Sequence, residues 1–176
     1  MPVIRTSEAL PPLFRNQLVE QLALELEADP AQHAGREPVV YESPIPPTDR
    51  FFAVVVWSAW EDIPWGQRTS LILDAYRRAD TDHPERTPRA PLLATANGLT
   101  WDEADETGFF KYAVTSPVPA DQTARNAMIA SGGAVTPDGV RLRFLDRKSA
   151  QKAVEALRQA LPGINWTESR VYRSDD

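Results

Sequence analysis

The stretch VVVWSAWEDIPWGQRTS, from Val54 to Ser70, leads from an apolar run into a helical pattern and so sets an α/β fold for the first half of the chain. The run FFAVVVW from Phe51 to Trp57 is apolar throughout, which predicts a central strand covered on both faces. Asp62 is predicted to cap the following helix, with Pro64 in its first turn. We therefore expect a buried strand that turns through a short corner into a helix.

Three of the chain's five tryptophans lie in this stretch. Trp57 ends the apolar strand, and Trp65 shares a helical stripe with Ile72 and Tyr76, so both tryptophans are predicted in the core. Trp60 lies in the polar corner SAWED, off both periodicities, which leaves a core and a surface position open. Because tryptophan is common among interface hot spots, Trp60 is a candidate partner-binding residue.

The residues before this stretch predict a helix and a strand. Pro11 and Pro12 fit the first turn of a helix. Four apolar residues then recur every four positions and predict an amphipathic helix that ends near Glu27; they are Phe14, Leu18, Leu22 and Leu26. The segment PVVYE, residues 38–42, predicts a short strand. Residues 1–80 therefore form a predicted α-β-β-α unit.

A proline-rich connection, residues 81–108, is predicted to follow and to include a short helix opened by the capping box Thr100–Glu103. Residues 109–173 then predict a strand at 109–115, a helix after Asp121, a hairpin at 134–145, a helix after Asp146 and a last strand at 166–173. The order β-α-β-β-α-β is typical of a ferredoxin-like unit. The predicted class is therefore α/β, of the α+β type, with two small units.

Residues 13–79 resemble BolA-like domains in their α-β-β-α order and in short segments: a strand ending in VVVW, the corner WSAWEDIPWGQR, and Arg68 leading into LILDAY. The resemblance implies a fold of that family for the first unit. The family's functional histidine in the helix after the second strand has no counterpart here, because residues 62–79 contain no histidine. The resemblance therefore implies the fold and not a role in iron–sulfur handling.

The composition of the chain excludes several kinds of catalytic and metal site. The chain has 176 residues, a net charge of −6 and no cysteine, which excludes disulfides, thiolate metal sites and cysteine nucleophiles. His33 and His83 both lie in polar segments predicted as loops. The acidic balance disfavours sequence-independent nucleic-acid binding and anionic membranes, and it favours a basic protein partner. With no apolar run long enough to span a bilayer, the cytoplasm is the expected compartment.

Two further groups of charged residues are candidate sites. Arg141 and Arg143 alternate with apolar residues, which places both on the open face of the second sheet, where Lys111 could join them. That face is predicted to be solvated or to bind an acidic protein surface, with the other half of the chain and RNA as further alternatives. Asp102 and Asp105 are three residues apart and could share a divalent cation, although acidic residues also suit the first turn of a helix.

These observations predict a non-enzymatic, cytoplasmic protein-interaction or assembly module that needs no cofactor. Its predicted partner-binding residues are Trp60, Arg141, Arg143 and Lys111, and the oligomeric state is left open. One alternative is a nucleic-acid-associated protein that uses Arg141 and Arg143. Another is a carboxylate-dependent metal enzyme with its centre near Asp102 and Asp105.

Overall fold

The computed structural model describes residues 10–28, 37–116 and 121–171. It is an α+β protein with two separate sheets, which confirms the predicted class. The described residues form two compact units, one of residues 10–28 and 40–98, the other of residues 37–39, 99–116 and 121–171. The loop position of His33 and the end of the last predicted strand at Arg173 lie outside the described residues.

The described part of the chain contains five α-helices. They are α1 (Pro12–Glu27), α2 (Trp65–Asp82), α3 (Trp101–Glu106), α4 (Gln122–Ala130) and α5 (Arg147–Ala160). Three predicted caps are confirmed: the side chains of Thr100, Asp121 and Asp146 accept backbone N–H groups at the starts of α3, α4 and α5. The predicted cap of α2 is wrong, because Pro64 takes the capping position and Asp62 lies before it.

Seven strands make up the two sheets of the described residues. They are β1 (Val39–Pro44), β2 (Phe51–Val56), β3 (Leu93–Leu99), β4 (Tyr112–Thr115), β5 (Ala134–Val135), β6 (Arg141–Phe144) and β7 (Thr167–Arg170). The first sheet has the order β1-β2-β3, so the apolar run that starts at Phe51 forms its central strand, as predicted. Pro44 lies in an edge strand, where a missing N–H is tolerated.

The strand β3 corrects the interpretation of residues 81–108 as a connection with one short helix. Residues 93–99, LATANGL, lie beside β2 and extend the first unit to the order α-β-β-α-β. Sequence patterning missed this strand because threonine, asparagine and glycine interrupt the apolar residues, and the last two are poor strand formers.

The second unit has the predicted order of elements, β4-α4-β5-β6-α5-β7. Its strands lie in the order β5-β6-β4-β7, and every neighbouring pair is antiparallel. Val114 pairs with Leu142 in the centre of this sheet, on the side of the apolar core. The first strand is shorter than the predicted 109–115, because Phe109 still bonds back to the carbonyl of Ala104 in α3.

Each unit has its own hydrophobic core. In the first unit, one cluster joins α1, α2 and the inner side of β2, and its largest fully buried side chains include Trp60, Tyr76, Leu22, Leu71 and Ile72. In the second unit, α4 and α5 cover the side of the sheet that carries Val114, Leu142 and Phe144. Trp166, just before β7, is fully buried in that second cluster.

Candidate functional site

Trp60 lies in the core and not on the surface. A short 3₁₀ turn, Ser58–Trp60, directs its indole inward, where the side chain is 0% exposed. The indole N–H donates to the carbonyl of Val55 at 3.0 Å, and the ring of Trp57 meets it edge-on with 5.1 Å between centroids. The structure therefore corrects the expectation of a surface anchor at Trp60, because no indole surface is open to a partner. It confirms Trp57 as a core residue.

Arg68 lies beside Trp60 and is 4% exposed. Its guanidinium donates to the carbonyls of Ile63 at 2.7 Å, Trp60 at 2.9 Å and Gly98 at 3.0 Å. These three bonds join the corner after β2 to α2 and to β3. A methyl group at Gly98 would lie 2.9 Å from Cβ of Arg68 and 3.0 Å from the indole of Trp60, so only glycine fits there. This buried cation has a structural role.

Trp65 is 52% exposed, so the prediction that it lies in the core is wrong. The buried face of α2 is centred on Arg68 and Ala75, and Trp65 lies to one side of that face in the first turn of the helix. Sequence patterning took arginine for a surface residue and therefore placed the buried face about 50° away from its true position. The guanidinium carbon of Arg68 lies 5.7 Å from the centroid of the Trp65 ring.

The second sheet carries the predicted arginines, but only one of them is exposed. Arg143 is buried, and its Nη2 donates to Oδ2 of Asp105 at 2.6 Å. This contact comes from α3, which the sequence did not place beside the sheet. Arg141 and Lys111 are exposed, as predicted. The prediction that Arg143 lies on an open face is therefore wrong.

The ion pair between Arg143 and Asp105 is only partly satisfied. Among the described residues, Asp105 Oδ1 and Arg143 Nε have no hydrogen-bond partner. Burial raises the pKa of Asp105, and this effect exceeds the opposing effect of Arg143. Burial likewise lowers the pKa of the Arg143 guanidinium. Desolvation therefore outweighs attraction for both partners of this pair.

The sequence also predicts Asp105, with Asp102, as a candidate metal ligand. Its Oδ2 accepts the hydrogen bond from Arg143, while Asp102 is exposed. Across residues 10–28, 37–116 and 121–171, no three histidine, cysteine, aspartate or glutamate side chains are grouped so that they could hold a metal ion.

A small cleft lies where α1 and α2 end. His83 places Nε2 3.3 Å from Glu27 and Nδ1 2.9 Å from Glu85, and the Tyr76 hydroxyl donates to Glu42 at 2.5 Å. The cleft has a volume of about 40 Å³, which suits water or a small ion. Pockets for drug-sized ligands have volumes of about 300–1,000 Å³. The cleft is therefore a polar junction between two helices rather than a substrate pocket.

The same contacts shift the pKa values of Tyr76 and His83. Burial, followed by the hydrogen bond to Glu42, raises the pKa of Tyr76 far above its usual value, so its hydroxyl stays protonated. The hydrogen bond to Glu85, with a further contribution from Glu27, raises the pKa of His83. Sequence patterning predicted His83 in a solvated loop and could not detect its contact with Glu27, which is distant in sequence.

The outer face of α1, which consists of Leu13, Gln17, Glu20 and Leu24, is exposed along its length. Leu13 is 80% exposed and Leu24 is 64% exposed. These positions lie opposite the stripe that packs into the core, so α1 carries apolar residues on two sides. Sequence patterning identified the inner stripe only, because a second set of leucines at a different helical angle did not enter that pattern.

A groove lies between the C-terminal halves of α1 and α2, beside the outer face of α1. It has a volume of about 250 Å³ and is lined by Glu20, Ala23, Leu24 and Glu27 of α1 and by Arg78 and Asp82 of α2. Arg78 donates to Asp82 at 2.5 Å. The groove thus combines an exposed leucine with three carboxylates and one guanidinium.

Comparisons of this chain with protein-family models, with curated proteins and with solved structures give no match. In the described residues, no helix has the length and apolar character needed to cross a membrane.

Proposed function

We propose that this chain is a non-enzymatic, cytoplasmic protein-interaction module, an adaptor or an assembly subunit, that binds another protein through the outer face of α1. The observation that carries the proposal is the exposure of Leu13 and Leu24 on one side of a helix whose other side is already buried. Covering apolar surface yields about 25 cal/mol per Å², so two exposed leucines favour association.

The outer face of α1 contains none of the residues that the sequence predicts for partner binding. Trp60 and Arg143 are buried, so neither can contact a partner without unfolding its surroundings. A nucleic-acid interface on the second sheet would rest on Arg141 and Lys111, because Arg143 is paired with Asp105. Two exposed cations in a chain with a net charge of −6 offer little to a polyanion.

We also propose that the second unit is a ferredoxin-like fold. Its order of elements, its wholly antiparallel sheet in the order β5-β6-β4-β7 and the two helices on one side support this relationship. The likeness of the first unit to BolA-like domains stays a prediction, supported by the α-β-β-α order of its first four elements.

The test of the proposed function compares three forms of the full chain, each tagged and recovered from the cells that produce it. They are the natural chain, a Leu13→Ser/Leu24→Ser double variant and a Leu145→Ser control. Leu145 is an exposed leucine of the second unit, so this variant controls for the loss of exposed leucine surface away from α1. We expect partners to be lost from the double variant only, with circular dichroism unchanged. An identical set of partners on all three forms would rule out α1 as the binding surface.

A further inference from the structure

We propose that the partner of this module presents a basic amphipathic helix, which lies along the outer face of α1 with its cationic side chains over the groove between α1 and α2. This inference rests on the proposed function and names the class of partner that the same surface fits. Two features of the surface support it, the spacing of the leucines and the charge of the groove.

The spacing of the exposed leucines suits a helical partner. Leu13 and Leu24 are separated by about three helical turns, or about 16 Å along the axis. Gln17 and Glu20 lie between them on the same side, so the face follows the alternating steps of four and three residues that helices use when they pair side by side. A second helix laid along α1 could therefore contact both leucines at once.

The charge of the groove selects a cationic partner. Glu20, Glu27 and Asp82 line it, against the single guanidinium of Arg78. These same three carboxylates raise the pKa of Arg78, with Asp82 as the largest contributor, so their field converges on this region. Arg78 offsets one of these three carboxylates, and His83, with Nε2 3.3 Å from Glu27, offsets a second when it is protonated, so the groove keeps a net negative charge.

The ends of the two helices add to this negative potential. Arg15 pairs with Asp74, and Glu27 reaches His83 just beyond Asp82, so α1 and α2 run in the same direction and end side by side. The carbonyl ends of both helices carry partial negative charge, and neither helix has a basic residue in its last turn. Arg86 offsets part of this field, because it donates to the last carbonyl of α1 at 3.3 Å.

The same charges argue against a second copy of this chain as the occupant. Pairing two copies through α1 would bring Glu20 of one molecule close to Glu20 of the other in either orientation, because Glu20 lies near the middle of the outer face. Like charges placed opposite each other oppose association. A basic helix would cover the leucines and pair with the carboxylates, whereas a second copy would cover the leucines alone.

The test uses two labelled model helices of about 18 residues, or about five turns, with leucine at the same positions. The two helices differ only at their charged positions, all of which are lysine in one helix and glutamate in the other. Binding to the full chain is measured by fluorescence anisotropy at several salt concentrations. We expect the lysine helix to bind, to weaken as salt rises, and to bind about tenfold more weakly to the Leu24→Ser variant. We expect no binding of the glutamate helix.

Matched charge variants test whether the carboxylates of this groove, rather than the overall negative charge of the chain, attract the lysine helix. Glu20→Gln/Glu27→Gln is compared with Glu61→Gln/Glu155→Gln, which removes two exposed carboxylates elsewhere. We expect only the first pair to weaken the lysine helix, by about three- to tenfold. An equal loss in both pairs, or no loss in either, would overturn the inference.

The remaining outcomes distinguish the inference from the proposed function. Equal binding of both helices, lost in Leu24→Ser, would overturn the basic class of partner and leave α1 as a binding surface. Failure of both helices to bind would overturn a helical partner, while the comparison of recovered partners would still decide the proposed function. Dimers in light scattering that become monomers in Leu24→Ser would identify a second copy as the occupant and overturn the inference.

Discussion

Two buried arginines, one in each unit, are held in different ways. Arg68 of the first unit donates to three backbone carbonyls at 2.7 to 3.0 Å. Arg143 of the second unit has a carboxylate partner, Asp105 at 2.6 Å, but its Nε has no partner among the described residues. The arginine with the formal ion pair is therefore the less completely bonded of the two.

We infer that hydrogen bonding, rather than the presence of an opposite charge, decides how well a buried guanidinium is accommodated. A buried ion pair must offset the desolvation of two charges, and it does so only when all polar atoms are satisfied. Carbonyls add no second charge, and their acceptor capacity must be filled in any case. We therefore expect the two arginines to differ in what their removal costs.

The largest effect is expected from Arg68→Met. The variant removes the Arg68 donor from three inward-facing carbonyls. The carbonyl of Trp60 keeps the N–H of Ile63 at 3.0 Å, so the loss falls mainly on the carbonyls of Ile63 and Gly98, and each unsatisfied buried group costs about 1–3 kcal/mol. We expect the free energy of unfolding to fall by about 3 kcal/mol or more, measured by urea denaturation followed by tryptophan fluorescence.

The matched control for this prediction is Arg77→Met, which replaces an exposed arginine of the same helix. Its effect should stay within about 0.5 kcal/mol. Equal unfolding midpoints for the two variants would show that the carbonyl bonds of Arg68 contribute nothing measurable to stability.

A smaller effect is expected at the second arginine. Arg143→Met leaves Asp105 partly buried without its cation, and because the Asp105 side chain keeps 28% exposure we expect a loss of about 2 kcal/mol. Adding Asp105→Leu removes the second charge as well. The double variant should then recover most of that loss and unfold within about 1 kcal/mol of the natural chain.

This double variant also contrasts the two sites directly. At Arg68 no single second substitution can repair the loss, because the acceptors belong to the backbone. If the double variant at the second site is as unstable as Arg143→Met alone, then the ion pair contributes more than its desolvation costs, and the contrast between the two arginines fails.

The sequence predicted much of the fold because its local signals were strong. The central strand from Phe51, the capping residues Thr100, Asp121 and Asp146, and the order of elements in the second unit are all present. Each rests on interactions between residues that are near in sequence, such as a side chain that accepts a backbone N–H three residues ahead.

The sequence did not predict the burial of Arg68 and Arg143 or the exposure of Trp65. Arg68 occupies the centre of a buried helix face that sequence patterning reserves for apolar residues, and this moved Trp65 to the wrong side. Arg143 is buried because α3 supplies Asp105 from 38 residues away. The contact of Arg143 with Asp105 and that of Arg68 with Gly98 join residues that are distant in sequence, for which one chain contains no local signal.

The smallest expected effect concerns pH. Burial raises the pKa of Asp105 above its ordinary value of 3.8. In acid below that value the carboxyl is protonated in both the folded and the unfolded chain. As the pH rises through 3.8 and then through the higher folded pKa, the unfolded chain releases the proton first, so the folded state loses stability. Asp105→Asn removes this loss, so its stability relative to the natural chain should improve with rising pH, measured by urea denaturation from about pH 4 to about pH 7.

The same pH series distinguishes the two buried arginines, because the stability effect of a substitution should depend on pH at only one of the two sites. The deficit of Arg68→Met should stay constant over that range, because the carbonyl bonds that it loses do not titrate. The difference between Asp105→Asn and the natural chain should change, because the partner of Arg143 is a titrating carboxyl. A constant difference for Asp105→Asn as well would mean that Arg143 compensates fully for the burial of this carboxylate, and the second site would then be as well accommodated as the first.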